Sequence, residues 1–499
     1  MSRAPGAGAH YAADSRAARP PRGPQVPAWA LPVVLALVAV VAGIGAVAAA
    51  REPEARVLGA EAVPVTPVLS ARRVPELLAA PVADRHLSAE LSAWLGASPP
   101  DSCLVVQAGG RSVFGHNPAL PVTGASTQKL LTATGLLLAR GADATFKTEA
   151  VAAAEPEGGV VTGDLYLVGG GDAALGQAGW AALQPPTRPK VVHDIDALAA
   201  SIAAAGITQV QGSIVGDGSR YDDQLYQPSL APRLIDQDQI GPVDSLMVND
   251  GFASFSPDLG VSATAPAPDP AADAARVLSE LLAAHGVTVA GPPRSGEAPE
   301  DATTVATLES PPLSTVVAEM LTNSDNETAE SAMKEIGLAT SAEGTFAAGA
   351  DGLGRLLSDA HVPIDGVQLV DGTGLTTEDR LTCTTLVDVL TRPDTGPVVR
   401  DGLAVAGQTG TLALRWRDTP VAGRMRAKTG TLRNVTALAG EVQPVPGGTV
   451  DFAYVANVPD PATVTSDDVN MDALPDILVG YGEGIDVAAL GPQPAEPAH

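Results

Sequence analysis

The apolar positions of the chain change texture several times, and each change predicts an element. His86 to Leu95 repeats apolar residues at helical spacing, and Ser102 to Gln107 with Ser112 to Phe114 flank Gly109-Gly110 as a β-hairpin. A helix is predicted to begin near Ser126 and to run through QKLLTATGLLLA. After Thr145 the pattern breaks into short strands and turns (GVVTGDLYLVGGGD, ITQVQGSIVGDG), punctuated by amphipathic helices near His193 to Ala204 and Ala271 to Ala284. From about Thr303 long helical patterns return (PLSTVVAEMLTNSDNETAESAMKEIG). The chain then closes with three strands, RMRAKTGTL, NVTALAGEV and GTVDFAYVAN, the last two separated by a Pro-Gly-Gly turn. The fold class read from this order is α+β: a helix-and-sheet domain over 85–144 and 304–486, interrupted by an inserted β-rich domain over 145–303.

The termini have different textures. Residues 1–27 are rich in Pro, Gly, Ala and Arg without apolar period, as in a disordered basic tail. Residues 28–50 carry no charge, and as a helix at ~1.5 Å per residue they would extend ~34 Å, enough to cross a ~30 Å hydrocarbon layer. Arg3, Arg16, Arg19 and Arg22 precede this segment, which predicts a cytoplasmic N-terminus, a transmembrane anchor and an extracytoplasmic remainder. Ala46, Ala48 and Ala50 also offer small-residue cleavage sites, so a cleaved signal segment with a secreted product is the alternative. Residues 51–84 read as a linker and 487–499 as a disordered tail.

Composition narrows the function. A net charge of −27 would repel a phosphate backbone, which excludes nucleic acid as a partner. With 45% hydrophobic and only 3% aromatic residues, the cores must be built from Ala, Val and Leu. Two cysteines and seven scattered histidines have no metal-type spacing, so no metal and no cofactor is expected. Lysine is scarce: Lys129, Lys147, Lys190, Lys334 and Lys428 are the only five, Arg being the default cation. A lysine in such a chain is expected where an ammonium must be able to lose its proton.

Three short motifs carry candidate chemistry. Ser126 and Lys129 lie one helical turn apart, so the amine can take the hydroxyl proton while the helix start favours developing negative charge. Ser324-Asp325-Asn326 falls between two helical segments, a place where the same residue types also serve as helix caps. Lys428-Thr429-Gly430-Thr431 lies in a strand whose edge can pair with a peptide and whose glycine admits close backbone approach. Gln408-Thr409-Gly410-Thr411 has the same shape without the ammonium. In this order and context the three motifs form the signature of penicillin-binding proteins and serine β-lactamases.

On these motifs, and on GDLYLVGGGDAAL (163–175), LVDGTGLT (369–376) and LAVAGQTGTL (403–412), the chain resembles the class C low-molecular-mass penicillin-binding proteins, the D-alanyl-D-alanine carboxypeptidase/endopeptidase family, from about Pro67 to Val487. The long gap between Ser126 and Ser324, which holds the insert, separates this family from plain β-lactamases. The resemblance implies an acyl-enzyme acting on peptidoglycan stem peptides and trapped by β-lactams. Ser126 would be the nucleophile and Lys129 its base. Ser324 would relay the proton, and Asn326 would hold the substrate amide. Lys428 and Thr429 would receive the terminal carboxylate, with Lys428 also keeping Lys129 neutral by repulsion. The backbone at Ser126 and at Thr431, which Gly430 precedes, would form the oxyanion hole. Thr377 and Arg433 depart from the family pattern and bear on preference for the third stem-peptide residue. A β-lactamase or esterase would need an E-x-x-x-N stretch after Asn326, which is absent, and a silent wall scaffold would not need an intact triplet. The extracytoplasmic address further suggests a disulfide between Cys103 and Cys383; protein partners are not indicated.

Overall fold

The structure, a computed structural model, describes residues 70–74, 76–256, 260–458 and 470–491, and residues 68–491 form one compact unit. The expectations for 1–27 and 28–50 fall outside the described residues. Among the described residues, no helix is long and apolar enough to cross a membrane.

The first helix, α1 (Glu76–Leu95), begins inside the stretch expected to be linker, which therefore ends earlier than residue 84. Pro81 obscured it in the sequence, but the proline lies exposed while Ala83, Leu87 and Leu91 bury at four-residue spacing. Then follow β1 (Asp101–Ala108), β2 (Arg111–His116) and α2 (Lys129–Arg140). The insert contributes β3 (Lys147–Ala152), β4 (Leu165–Val168), α3 (Asp196–Ala204), β5 (Ile214–Asp217), α4 (Pro270–Ala284), β6 (Arg294–Ser295) and β7 (Thr303–Glu309). The chain returns through α5 (Leu313–Asn323), α6 (Asn326–Ser341), α7 (Phe346–Asp359) and α8 (Cys383–Thr391). It ends with β8 (Ala404–Val405), β9 (Met425–Leu432), β10 (Val435–Val442), β11 (Val450–Asn457) and α9 (Ala473–Val479).

The catalytic part is a six-stranded sheet, β8-β9-β10-β11-β1-β2, antiparallel throughout and covered on both faces. Alternation along each strand divides its residues between two cores. Cys103, Val105, Ala437, Ala439, Ala453 and Val455 pack against α2, α5, α6 and α8. Leu104, Val106, Leu438, Phe452 and Tyr454 pack toward α1 and α9. Double coverage explains why these strands read as nearly continuous apolar runs. Small side chains at 437, 439 and 453 let the helical layer approach, so scarcity of aromatics does not leave the interior empty. Cys103 and the first residue of α8, Cys383, are joined by a disulfide, with Cα atoms 5.9 Å apart.

The insert has its own core, including Leu165, Leu167, Ile202, Ile214, Ala274 and Leu278. Its sheet runs β6-β5-β4-β3-β7, and the β4/β5 and β5/β6 pairs are parallel. The region expected to be β-rich is thus a mixed α/β unit in which α3 and α4 lie on the crossovers. Its closing strand, β7, pairs with β3 and carries the insert through Glu309 rather than 303. Strand direction is not encoded in period, so short runs alone could not reveal this. At the other end, 487–491 form turns, with the Gly491 carbonyl accepting from Arg72 at 3.3 Å, and 492–499 lie outside the described residues.

Candidate active site

Ser126 lies in a 3₁₀ turn, Ala125–Gln128, that feeds directly into α2. Gly124 and Thr127 close this turn: the Thr127 hydroxyl donates to the Gly124 carbonyl at 2.7 Å, which leaves Ser126 free of capping duty. Ala125 is held at φ 47°, a left-handed conformation that costs an L-residue roughly 1 to 2 kcal/mol. Two glycines make room for the turn. A Cβ on Gly430 would fall 2.4 Å from the Gly124 carbonyl oxygen, and one on Gly374 only 1.9 Å from that of Ala125. The strand β9 and the DGTGLT loop therefore both reach the backbone just before Ser126.

Lys129 is fully buried, and its ammonium donates to Ser126 Oγ at 3.3 Å, to Asn326 Oδ1 at 2.6 Å and to the Thr373 carbonyl at 2.9 Å. Burial pushes its pKa down to about 8, although Asp371, Glu330, Asp325 and Glu327 pull the other way. Asn326 spends its other amide group on the Gln239 carbonyl at 2.6 Å, so both ends of its amide are engaged within the protein.

Ser324 and Asp325 divide the corner between α5 and α6. Asp325 caps α6, its Oδ1 accepting from Thr328 N at 2.7 Å. Ser324 closes α5 at φ 66°, ψ 40°, and its hydroxyl, relieved of capping, accepts from Lys428 Nζ at 2.9 Å. Lys428 also donates to the Thr429 carbonyl at 2.9 Å, and Thr429 Oγ1 lies 3.2 Å from Thr411 Oγ1. Burial drives the Lys428 pKa well below the usual lysine range, helped by the charges of Lys129 and Arg188. Burial, and not the expected repulsion from Lys428, is what lowers Lys129; it is Lys428 that is depressed by the charge of Lys129, after burial. A bound carboxylate at Lys428 would restore the charge that burial removes. Strand β8 covers β9 only at Arg426 and Ala427, leaving the edge from Lys428 to Leu432 without a strand partner among the described residues.

The structure therefore brings together Ser126, Lys129, Ser324, Asn326 and Lys428, with Thr429, Gly430 and Thr431 on the adjoining strand. Sequence reasoning missed several neighbours. Asp371 shapes the DGTGLT loop, accepting from Thr373 Oγ1 at 3.0 Å and from Thr376 N at 2.8 Å, and that loop presents the Thr373 carbonyl to Lys129. Lys190, from the insert, lies buried against Asp250 at 2.8 Å, Asp325, and Glu319 at 4.0 Å. Its rarity as a lysine was a signal, but nothing local identified its partners.

Comparison with known proteins gives the family of the chain. The profile of the D-Ala-D-Ala carboxypeptidase 3 (S13) family matches residues 103–260 and 258–476. Carboxypeptidase DacB of Mycolicibacterium smegmatis is 32% identical over 470 residues, covering 90% of this chain and 96% of its own. The D-alanyl-D-alanine carboxypeptidase of Actinomadura sp. strain R39 is 29% identical over 431 residues, covering 71% of this chain and 77% of its own. The crystal structure of penicillin binding protein 4 from Haemophilus influenzae shares the fold, with a TM-score of 0.65 at 19% identity over 78% of this chain and 99% of that one. With the mixed α+β fold, the family match spanning both sides of the insert and the serine–lysine site in place, the chain belongs to the D-Ala-D-Ala carboxypeptidase 3 (S13) family and is a serine-type carboxypeptidase.

Proposed function

We propose that Ser126 attacks the carbonyl between two terminal D-alanines of a peptidoglycan stem peptide, or the matching bond of a cross-link, and is trapped as an acyl-enzyme by β-lactams. The observation that carries this reading is the Lys129 ammonium within 3.3 Å of Ser126 Oγ in a buried setting that lowers its pKa to about 8. In its neutral form Lys129 takes the hydroxyl proton as the Ser126 oxygen bonds to the carbonyl carbon. The oxygen of that carbonyl becomes an anion facing the backbone N–H groups of Ser126 and Thr431, an interaction typically worth ~3 to 4 kcal/mol. Ser324 gives its hydroxyl proton to the leaving amine as the peptide bond breaks and takes one in turn from the Lys428 ammonium that donates to it, so that the proton gained by Lys129 balances the one given by Lys428. Lys428 and Thr429 hold the terminal carboxylate. The substrate backbone extends along the open edge of β9, and Asn326 exchanges one of its internal bonds for the substrate amide. Water then cleaves the ester and returns Ser126. Whether residues 28–50 serve as an anchor or as a cleaved export segment, this reading puts the chemistry outside the membrane, where the wall substrate is found.

The test is covalent labelling with a fluorescent penicillin, followed by hydrolysis of one pentapeptide and one cross-linked dimer. The wild-type chain is expected to label and to release D-alanine. Ser126→Ala should abolish labelling while leaving the thermal transition nearly unchanged. Labelling that persists in that variant would sink the assignment of the nucleophile.

A further inference from the structure

The strap Thr187–Lys190 crosses from the insert to the catalytic cleft and is fixed there at three points. The Thr187 carbonyl accepts from Gly410 N at 2.7 Å, and the Pro189 carbonyl accepts from Asn323 Nδ2 at 2.9 Å. Lys190 then enters a pocket where Asp250, from the insert, and Asp325, from the corner between α5 and α6, both bond its ammonium, with Glu319 4.0 Å away. Its side chain is only 7% exposed. Asp250 is itself oriented by the indole N–H of Trp180, which donates to its other oxygen at 2.9 Å.

We infer that Lys190 is a positioning residue for acylation, holding the Ser324–Asn326 corner in register with Ser126 from a strap of the inserted domain. The corner needs such support. Ser324 has a left-handed backbone, which a residue with a side chain keeps only where its surroundings impose it. The adjacent Asp325 serves two partners, Thr328 N through Oδ1 and Lys190 through Oδ2. Without the ammonium, Asp325 loses the partner that ties the corner to the strap, so the corner is no longer held against the insert, and Asp250 is left as a buried carboxylate without its cation. Ser324 Oγ is 2.9 Å from Lys428 Nζ and Asn326 Oδ1 is 2.6 Å from Lys129 Nζ, so a shift of the corner breaks both contacts that tune the reacting groups. Burial opposes the Lys190 charge, but Asp250, Asp325 and Glu319 together outweigh it and keep the pKa well above the ordinary lysine value. Lys190 is therefore a fixed cation, unsuited to proton transfer and suited to holding.

The inference rests on the acyl-enzyme reading of the site, and the experiment separates the two. Acylation of the full chain by a fluorescent penicillin is resolved into the dissociation constant of the first complex and the acylation rate constant, alongside the melting temperature. Lys190→Met should lower the rate constant by ~100-fold, the scale of a small misplacement of reacting groups, with the dissociation constant changed less than ~threefold. Lys190→Arg should recover most of the rate. Lys190→Met combined with Asp250→Asn removes a carboxylate left unpaired, and is expected to restore melting temperature but not rate. Arg220→Gln is the control, since Arg220 pairs with Glu335 on α6 at 2.7 and 2.9 Å, away from the corner. It should lower the melting temperature and spare the rate constant. Recovery of rate together with stability in the double variant, an equal rate loss in Arg220→Gln, or a wild-type rate in Lys190→Met would each overturn the inference while leaving the acyl-enzyme reading intact. A wild-type chain that never labels would overturn both.

Discussion

Lys428 Nζ donates to Ser324 Oγ at 2.9 Å, joining a strand to a helix corner and linking the last catalytic motif to the middle one. The bond fits a compact ammonium fully enclosed by protein, with the Thr429 carbonyl as a further acceptor. A guanidinium is planar and larger, so it can neither occupy this space nor make the same two bonds as a compact ammonium. Lys428→Arg should reduce penicillin acylation on the order of 100-fold, the scale of removing one preorganised electrostatic group. Stopped-flow labelling reads this directly, and a variant within threefold of wild type would show that Lys428 is not required as an ammonium.

As the proposed base, Lys129 would have to be neutral to accept the Ser126 proton, and burial brings its pKa to about 8. The neutral fraction grows as pH rises, so the acylation rate constant should climb about tenfold per pH unit below the midpoint and bend over near pH 8. A rate that stays flat between pH 5 and 9 would contradict Lys129 as the base.

Asp379 sits behind the DGTGLT loop, accepting from Val370 N at 2.7 Å, with its other oxygen buried. Burial, followed by the charge of Asp371 and a hydrogen bond to it, pushes its pKa up to about 10. At neutral pH the folded chain thus keeps a proton that the unfolded chain releases. Its stability contribution is fully present below the ordinary carboxylate range and is lost as pH rises toward 10. Asp379→Asn keeps the acceptor for Val370 N and offers Asp371 a permanent donor. Its melting temperature relative to wild type should improve progressively from pH 5 to pH 9, reaching roughly 2 to 4 °C. Calorimetry showing a constant offset across that range would place the proton elsewhere.

The Cys103–Cys383 disulfide ties the third residue of β1 to the start of α8 across a sequence separation of 280. Closing so long a loop in the unfolded chain is worth at most ~4 to 5 kcal/mol in the chain-entropy model. Reduction should lower the melting temperature by roughly 3 to 6 °C without abolishing penicillin labelling. Two thiols open to alkylation in the unreduced, denatured protein would refute the bond.

The catalytic sheet was legible because its strands are apolar on both faces and bounded by unmistakable turns such as Gly109-Gly110 and Pro446-Gly447-Gly448. The three motifs were legible because their chemistry needs particular residue types at fixed local spacing, as between Ser126 and Lys129. Lys190 and Asp379 were not, since their meaning comes from Asp325 and Asp371 respectively, reached through tertiary contact. The start of α1 was hidden by Pro81, whose usual effect on helices argued for a linker. The parallel pairing of β4 with β5 was hidden because a two-residue period says nothing of direction.

The β3/β7 pairing has a consequence for how the chain assembles. Lys147 lies opposite Glu309 in the ladder, and just outside it Phe146 N donates to Ser310 Oγ at 2.9 Å while Ser310 N donates to the Phe146 carbonyl at 2.8 Å. The ends of the insert therefore leave and re-enter as neighbours. Bringing α2 beside α6 across an open loop of that length would cost about 4 to 5 kcal/mol of chain entropy. Once the insert has folded, that loop is already closed, and the two halves of the catalytic domain meet as though linked by a short tether. The insert then acts as a folding clip. Pulsed hydrogen exchange during refolding should find β3 and β7 amides protected before those of α2, and the reverse order would exclude this sequence of events.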